Sequence, residues 1–271
     1  YSIIILLLFF CFPEVIISSS TSYYFRTLGI NDGLSQSTVN AILQDQKGFM
    51  WIGTKDGLNQ YDGQECRVFQ KENSSLGNNF ITALYEDCEG YIWVGTDAGV
   101  YIYNPVQEAF QFLDTEIASS GEKITRAVTW ITSDSQNNIW ISVDNQGLFC
   151  YNRGKKNLTK VVSCGKSGIA NVTHFWFYAG QLWIARYEDN LYVSKDNSSF
   201  NAFNDVDGED IFKGLVINSY VEGLHNCLYV GTSKGLMEIN LTSRKVRKLL
   251  DEYVRDICCL LYTSPSPRDL S

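Results

Sequence analysis

Residues 49–58 read Phe49-Met50-Trp51-Ile52-Gly53-Thr54-Lys55-Asp56-Gly57-Leu58, and the chain keeps returning to them. The second copy is Tyr91-Ile92-Trp93-Val94-Gly95-Thr96-Asp97-Ala98-Gly99-Val100. The third is Asn138-Ile139-Trp140-Ile141-Ser142, followed by Gly147-Leu148, and a worn fourth is Gln181-Leu182-Trp183-Ile184-Ala185. The fifth, Cys227-Leu228-Tyr229-Val230-Gly231-Thr232-Ser233-Lys234-Gly235-Leu236, restores the pattern. The aromatic anchors at 51, 93, 140, 183 and 229 lie 42, 47, 43 and 46 residues apart. A period in the forties that holds several short strands predicts an all-β chain, a β-propeller of four-stranded blades.

One unit shows why. Met50, Trp51 and Ile52 favour a strand, and Thr54-Lys55-Asp56-Gly57 is a turn whose glycine is free to take positive φ. Leu58 to Tyr61 makes the next strand, Asp62-Gly63 is a hairpin signal, and Cys66 to Phe69 makes the fourth. Upstream, Val39 to Leu43 makes the innermost strand. Aligned on the anchor, Val39, Ile81, Val128, Val172 and Ile217 share a column, Val172 only after one turn residue is deleted. The next column reads Asn40, Thr82, Thr129, Thr173 and Asn218. Asp45, Asp87 and Asp134 stand where a side-chain oxygen can cap the following turn. The fourth and fifth repeats have Tyr178 and Gly223 there.

A chain of 271 residues can bury a sizeable core as one domain, and its 14% aromatic content suits β packing. The formal charge of -8 argues against nucleic acid or an anionic membrane surface as partner. Eight cysteines share no C-x-x-C spacing, so no zinc site and no disulfide framework is expected. Cys66, Cys150 and Cys227 fall on strands or beside anchors, where a thiol serves as a small hydrophobe.

The ends carry their own signals. Ile3 to Phe12 is a nearly unbroken apolar run with Ser18-Ser19-Ser20-Thr21-Ser22 behind it. It falls short of the roughly 20 apolar residues of a membrane span, so residues 1–22 are expected to be a secretory signal lacking its true start; a buried strand is the alternative. Tyr23 to Leu28 is expected as an outer fourth strand that awaits a last blade. Blades are expected at about 38–70, 80–113, 127–162, 171–204 and 216–249, and Val254 to Cys258 matches the first strand of a sixth. The domain would thus be a partial propeller over 23–258, from a ring of seven. Residues 259–271 fit no repeat and are expected to be a non-native tail, translated read-through of a truncated frame; a disordered linker is the other option.

The pattern Asp-x-x-Gly-x-x-Trp-Ile-Gly-Thr-x-x-Gly-Leu resembles the two-component regulator propeller repeat. Gly33 to Val39 and Trp51 to Gly63 together resemble the first blade of the periplasmic sensor of gut-bacterial hybrid two-component systems. The likeness covers about 23–258, sharply in blades one, two and five and weakly in four, where Ala185-Arg186 replaces Gly-Thr. It implies a longer parent: two propellers, an immunoglobulin-like linker, one inner-membrane span, then histidine kinase, receiver and DNA-binding domains, working as a homodimer. The expected place of this segment is then the periplasm. The expected partners are an oligosaccharide or other small ligand, the remaining propeller and the kinase.

No catalytic set, metal-ligand spacing or phosphate loop stands out, so no catalytic residue, metal or cofactor is expected. His174 and His225 are the only histidines, and Asn204 to Asp210 lacks the spacing of a calcium loop. The repeated anchor tryptophans are expected to pack between blades. Aromatics that break the pattern are better ligand candidates: Trp130 and His174 stand where Ala41 and Ala83 do, Trp176 replaces Leu43, and Arg126 precedes the third inner strand. Inner strands line a propeller's central channel, so these four are the candidate binding residues. A sensor that binds oligosaccharide is the favoured reading. A secreted propeller lyase or glycosidase, or an adhesion propeller, is the alternative.

Overall fold

The computed structural model describes residues 27–161, 172–197, 199–223, 225–255 and 257. The expected signal segment (1–22), the tail (259–271) and positions 23–26 of the expected outer strand lie outside them. Five four-stranded antiparallel sheets follow one another along the chain, each a simple meander. Blade 1 holds β1 (Val39–Gln44), β2 (Met50–Thr54), β3 (Gly57–Tyr61) and β4 (Cys66–Phe69). Blade 2 holds β5 (Ile81–Glu86), β6 (Ile92–Thr96), β7 (Gly99–Asn104) and β8 (Ala109–Phe112). Blade 3 holds β9 (Val128–Ser133), β10 (Ile139–Val143), β11 (Gly147–Asn152) and β12 (Asn157–Lys160). Blade 4 holds β13 (Val172–Tyr178), β14 (Gln181–Arg186), β15 (Leu191–Ser194) and the two-residue β16 (Asn201–Ala202). Blade 5 holds β17 (Ile217–Glu222), β18 (Cys227–Thr232), β19 (Gly235–Asn240) and β20 (Lys245–Leu250).

The inner strands β1, β5, β9, β13 and β17 pack side by side in that order, whereas β17 and β1 do not pack on each other in the same way. Each seam between blades has its own apolar core. Trp51, Leu58 and Phe69 meet Ile81, Val94 and Tyr103 in the first. Trp183, Phe203 and Phe212 meet Ile217, Leu228 and Ile239 in the last.

The recurrent tetrad Trp-Ile/Val-Gly-Thr now has a physical meaning at each position. The anchor Trp51 is 1% exposed, and its indole Nε1 donates to Asp45 Oδ2 at 2.8 Å. Trp93 donates to Asp87 at 2.8 Å and Trp140 to Asp134 at 2.9 Å. The other oxygen of each Asp accepts the turn N–H groups, for example those of Lys47 and Phe49 on Asp45. One carboxylate therefore closes the hairpin and satisfies a buried donor that packing alone would strand. The glycine lets the next blade approach: a Cβ on Gly53 would lie 2.6 Å from Ile81 Cγ2, and one on Gly95 2.8 Å from Val128 Cγ1. The threonine hydroxyl caps the following turn, Thr54 on Gly57 O, Thr96 on Gly99 O and Thr232 on Gly235 O, each at 2.9 Å.

Blades 4 and 5 depart from this in different ways. In blade 4, Tyr178 pairs with Gln181 across a two-residue turn, Ala179 (φ 49) and Gly180 (φ 71). Both positive φ values belong to a type I′ hairpin. The turn is one residue short, which is why the alignment needs a deletion, and no aspartate among the described residues reaches the anchor. In blade 5, Gly223 replaces the Asp and Tyr229 replaces the Trp. A Cβ on Gly223 would meet the Tyr229 ring at 2.4 Å, and Tyr229 has no indole N–H to satisfy.

Beyond blade 5, Val254 carries no strand assignment, but it sits where the next inner strand would begin. Its N–H donates to Thr232 O at 3.1 Å, and its carbonyl accepts from Asn218 Nδ2 at 2.8 Å. Asn40 Nδ2 reaches Ile81 O in the same way, also at 2.8 Å. Cys66, Cys88, Cys150 and Cys227 are free thiols. Burial pushes Cys150 up to about 12, in keeping with an apolar role.

Candidate functional site

The five inner strands line a central cavity of about 740 Å³. A register shift at the start of the inner strands breaks the alternation, so two successive columns of side chains reach it. The column Asn40, Thr82, Thr129, Thr173 and Asn218 lines it, and Arg255 extends that column one blade further. Part of this column is structural, because Asn40, Thr129 and Asn218 each bond the backbone carbonyl that opens the next inner strand. Thr82 Oγ1, by contrast, is buried and has no hydrogen-bond partner among the described residues.

The neighbouring column runs Ala41, Ala83, Trp130, His174 and Ser219, and all five line the cavity. Trp130 and His174 rest on each other with ring centroids 4.8 Å apart, tilted by 59°. The Trp130 Nε1 and Ser219 Oγ atoms are buried without hydrogen-bond partners among the described residues. Tyr220 lies beside them, and burial, reinforced by Glu222 and Tyr85, pushes its phenol up to about 12. Charge is segregated along the channel. Glu222 ends β17 at its hairpin, while Arg255 lies next to Val254 near the start of that strand. At about 3.3 Å per residue the two ends are roughly 17 Å apart.

The four expected site residues divide. Trp130 and His174 lie on the cavity wall. Arg126 is exposed in a bend ahead of β9, off the wall. Trp176 is a correction: it is 1% exposed and sits in the seam between blades 4 and 5. It pairs with the anchor Trp183 across β13 and β14, so it shares that face and points away from the channel. There it stacks on Tyr220 at 4.2 Å and on Trp183 at 6.2 Å. Sequence reasoning missed Arg255, although its own alignment of Val254 with the strand starts places Arg255 in the Asn/Thr column. It also missed Tyr220, which breaks the apolar column Ile42, Leu84, Ile131 and Phe175. His225 occupies an exposed turn at φ 56. In the acidic loop, Asp205 Oδ1 accepts the N–H groups of Asp207 and Glu209, an ordinary side-chain-capped turn. Among the described residues no three His, Cys, Asp or Glu side chains form a metal-binding group, and no helix is long and apolar enough to cross a membrane.

Comparison with known proteins agrees with this architecture. The family model described as two component regulator propeller matches residues 33–56 and 75–98. Histidine kinase P4 of Formosa agariphila is 40% identical over 53 residues, 20% of this chain and 4% of that protein. The crystal structure of the extracellular domain of a hybrid two-component system from B. thetaiotaomicron is 26% identical. It superposes with a TM-score of 0.68 over 84% of this chain and 32% of its own. The extracellular domain of a one-component system from the same organism shares the fold, with TM-score 0.58 and 18% identity over 85% of this chain and 39% of its own. The chain thus spans only 32% and 39% of these two solved relatives. Residues 33–56 and 75–98 match the two component regulator propeller model, on a propeller fold similar to that of the extracellular domains of two-component systems.

Proposed function

We propose that this chain is the ligand-sensing propeller of an exported two-component sensor, and that its central cavity takes an oligosaccharide released from a polysaccharide. On this reading it works in the periplasm. The remaining propeller and a histidine kinase of the same homodimeric parent, anchored in the inner membrane, receive the signal. The observation that carries the reading is the Trp130–His174 pair on a wall with three buried polar atoms that have no partner among the described residues, Trp130 Nε1, Thr82 Oγ1 and Ser219 Oγ. Sugars present apolar C–H faces to aromatic rings and hydroxyls that both donate and accept, so they match such a wall. A volume of about 740 Å³ lies within the range of small-molecule sites. Hydrolysis of a glycoside commonly requires two carboxyl groups across the bond. Glu222 is the single carboxylate among the described residues of the wall, which favours binding over cleavage.

Calorimetry of the complete sensor domain against an oligosaccharide panel tests this. Trp130→Ala and His174→Ala should each weaken binding about tenfold or more, a loss of about 1.4 kcal/mol, with the melting temperature held. Unchanged affinity in both variants overturns the central site, and release of shortened sugars on incubation overturns the sensor reading in favour of an enzyme.

A further inference from the structure

The anchor tryptophans form an internal control. In blades 1 to 3 each indole N–H donates to an aspartate. In blade 4 the anchor Trp183 is 1% exposed, and its Nε1 has no hydrogen-bond partner among the described residues. That indole lines a groove of about 700 Å³ at the seam with blade 5. The matching groove at the seam of blades 1 and 2 measures about 210 Å³. There Asp45 accepts the indole, and an Arg67–Glu108 ion pair at 2.8 Å crosses the seam.

Register identifies what replaces that pair. Arg67 lies opposite Gln60, which lies opposite the anchor Trp51. The same two steps from Trp183 lead through Val193 to Asn201. Glu108, at φ 50 in the hairpin before β8, corresponds to Arg244, at φ 57 in the hairpin before β20. The charge on that side is therefore inverted, and among the described residues no Arg67–Glu108-like pair spans the seam. The Arg244 guanidinium lies over the Phe203 ring at 5.3 Å and donates one bond to Asn204 O. Lys195 lines the same groove. The one acid among its described lining residues, Asp196, is engaged by Ser194 Oγ and by the N–H and hydroxyl of Ser199.

We propose that this groove is a second ligand site, separate from the central cavity, and that it takes a small carboxylate-bearing molecule such as an acidic sugar. One carboxylate supplies what the seam lacks relative to its counterpart: an acceptor for Trp183 Nε1–H and a negative charge facing Arg244 and Lys195. Charge-assisted bonds of this kind are the stronger class, and an indole N–H can only donate, so its partner must be an acceptor.

The test follows the indole N–H resonances of the complete sensor domain in solution, with the Trp183 signal assigned from Trp183→Phe or, should that variant not fold, from Trp183-proximal contacts in the wild type. The probe is galacturonate, with galactose as its neutral counterpart. Galacturonate should move the Trp183 resonance while those of Trp51, Trp93 and Trp140 stay in place, and galactose should leave it still. Arg244→Gln should weaken the galacturonate response about tenfold without changing the fold. A Trp183 resonance that ignores galacturonate, that answers galactose equally, or that responds undiminished in Arg244→Gln overturns the proposal. None of these outcomes bears on Trp130 and His174, so the central-cavity reading stands or falls separately.

Discussion

Removing the Asp45 carboxylate should show how much of each blade rests on a single side chain. Its Oδ1 accepts the N–H groups of Lys47 at 3.0 Å and Phe49 at 2.9 Å, and its Oδ2 accepts the Trp51 indole at 2.8 Å. Lys47 is exposed, so in Asp45→Ala water can replace part of the turn bonding. The indole has no such recourse, since Trp51 is 1% exposed. The expected loss is about 2–4 kcal/mol: about 1–3 for a buried donor left unpaired and about 1 for the turn. Asp45→Asn should fall between, because one carbonyl oxygen can serve the turn or the indole but not both.

The pairwise part is isolated by a double-mutant cycle with Trp51→Phe, which deletes the N–H while keeping a ring in the seam. Urea unfolding of the complete sensor domain, followed by far-UV circular dichroism so that the lost tryptophan does not alter the probe, should give a coupling of about 1.5–3 kcal/mol. The same cycle on Asp45 and Trp93, whose indole donates to Asp87 instead, should give none. A coupling for Asp45 and Trp51 within about 0.5 kcal/mol of zero, the scatter of independent sites, would refute the idea that this bond holds the blade.

Three further outcomes are expected. Gly95→Ala should destabilise by about 1–3 kcal/mol, since its Cβ would meet Val128 Cγ1 at 2.8 Å and Ala83 Cβ at 3.1 Å; a melt equal to wild type would contradict the close blade approach. Trp176→Ala should cost about 3–5 kcal/mol of stability and leave oligosaccharide affinity unchanged under conditions where it remains folded, whereas lost affinity with an unmoved melt would return Trp176 to the binding site. The third concerns alkaline pH. Burial pushes Tyr220 up to about 12 from its ordinary 10. The folded chain then retains a proton that the unfolded chain releases, so the stability is intact below pH 10 and falls as pH rises between about 10 and 12, by on the order of 2 kcal/mol. Tyr220→Phe should show a shallower fall in urea unfolding at pH 9 and pH 11, and an identical slope would exclude Tyr220 as its source.

The blades were legible because their anchors recur at a nearly constant interval, and because turn chemistry marks each strand end. Position within a blade was legible too, but the facing of a side chain was harder to see. Trp176 stands in the Leu43 column, and Leu43 pairs with the anchor Trp51; that pairing, not proximity to the channel, places Trp176 in a seam. Trp130 and His174 share a column with alanines near the axis, so their extra bulk lines the cavity wall. The turn aspartates were visible as caps, whereas their bond to the anchor emerges only once the hairpin register sets Asp45 beside Trp51.

The same two positions then explain why departures from a repeat differ in meaning. In blade 5 both partners change together: Gly223 makes room for the Tyr229 ring, and no buried indole is left wanting an acceptor. In blade 4 only one changes. Tyr178 and a shortened turn replace the aspartate while Trp183 keeps its indole, and the groove beside it is wide and faced by Arg244 and Lys195. A compensated change is repacking, and sequence comparison between blades can recognise it as such. An uncompensated one leaves a buried donor beside open space, and that combination, invisible until the register is known, is what separates a candidate binding groove from a worn repeat.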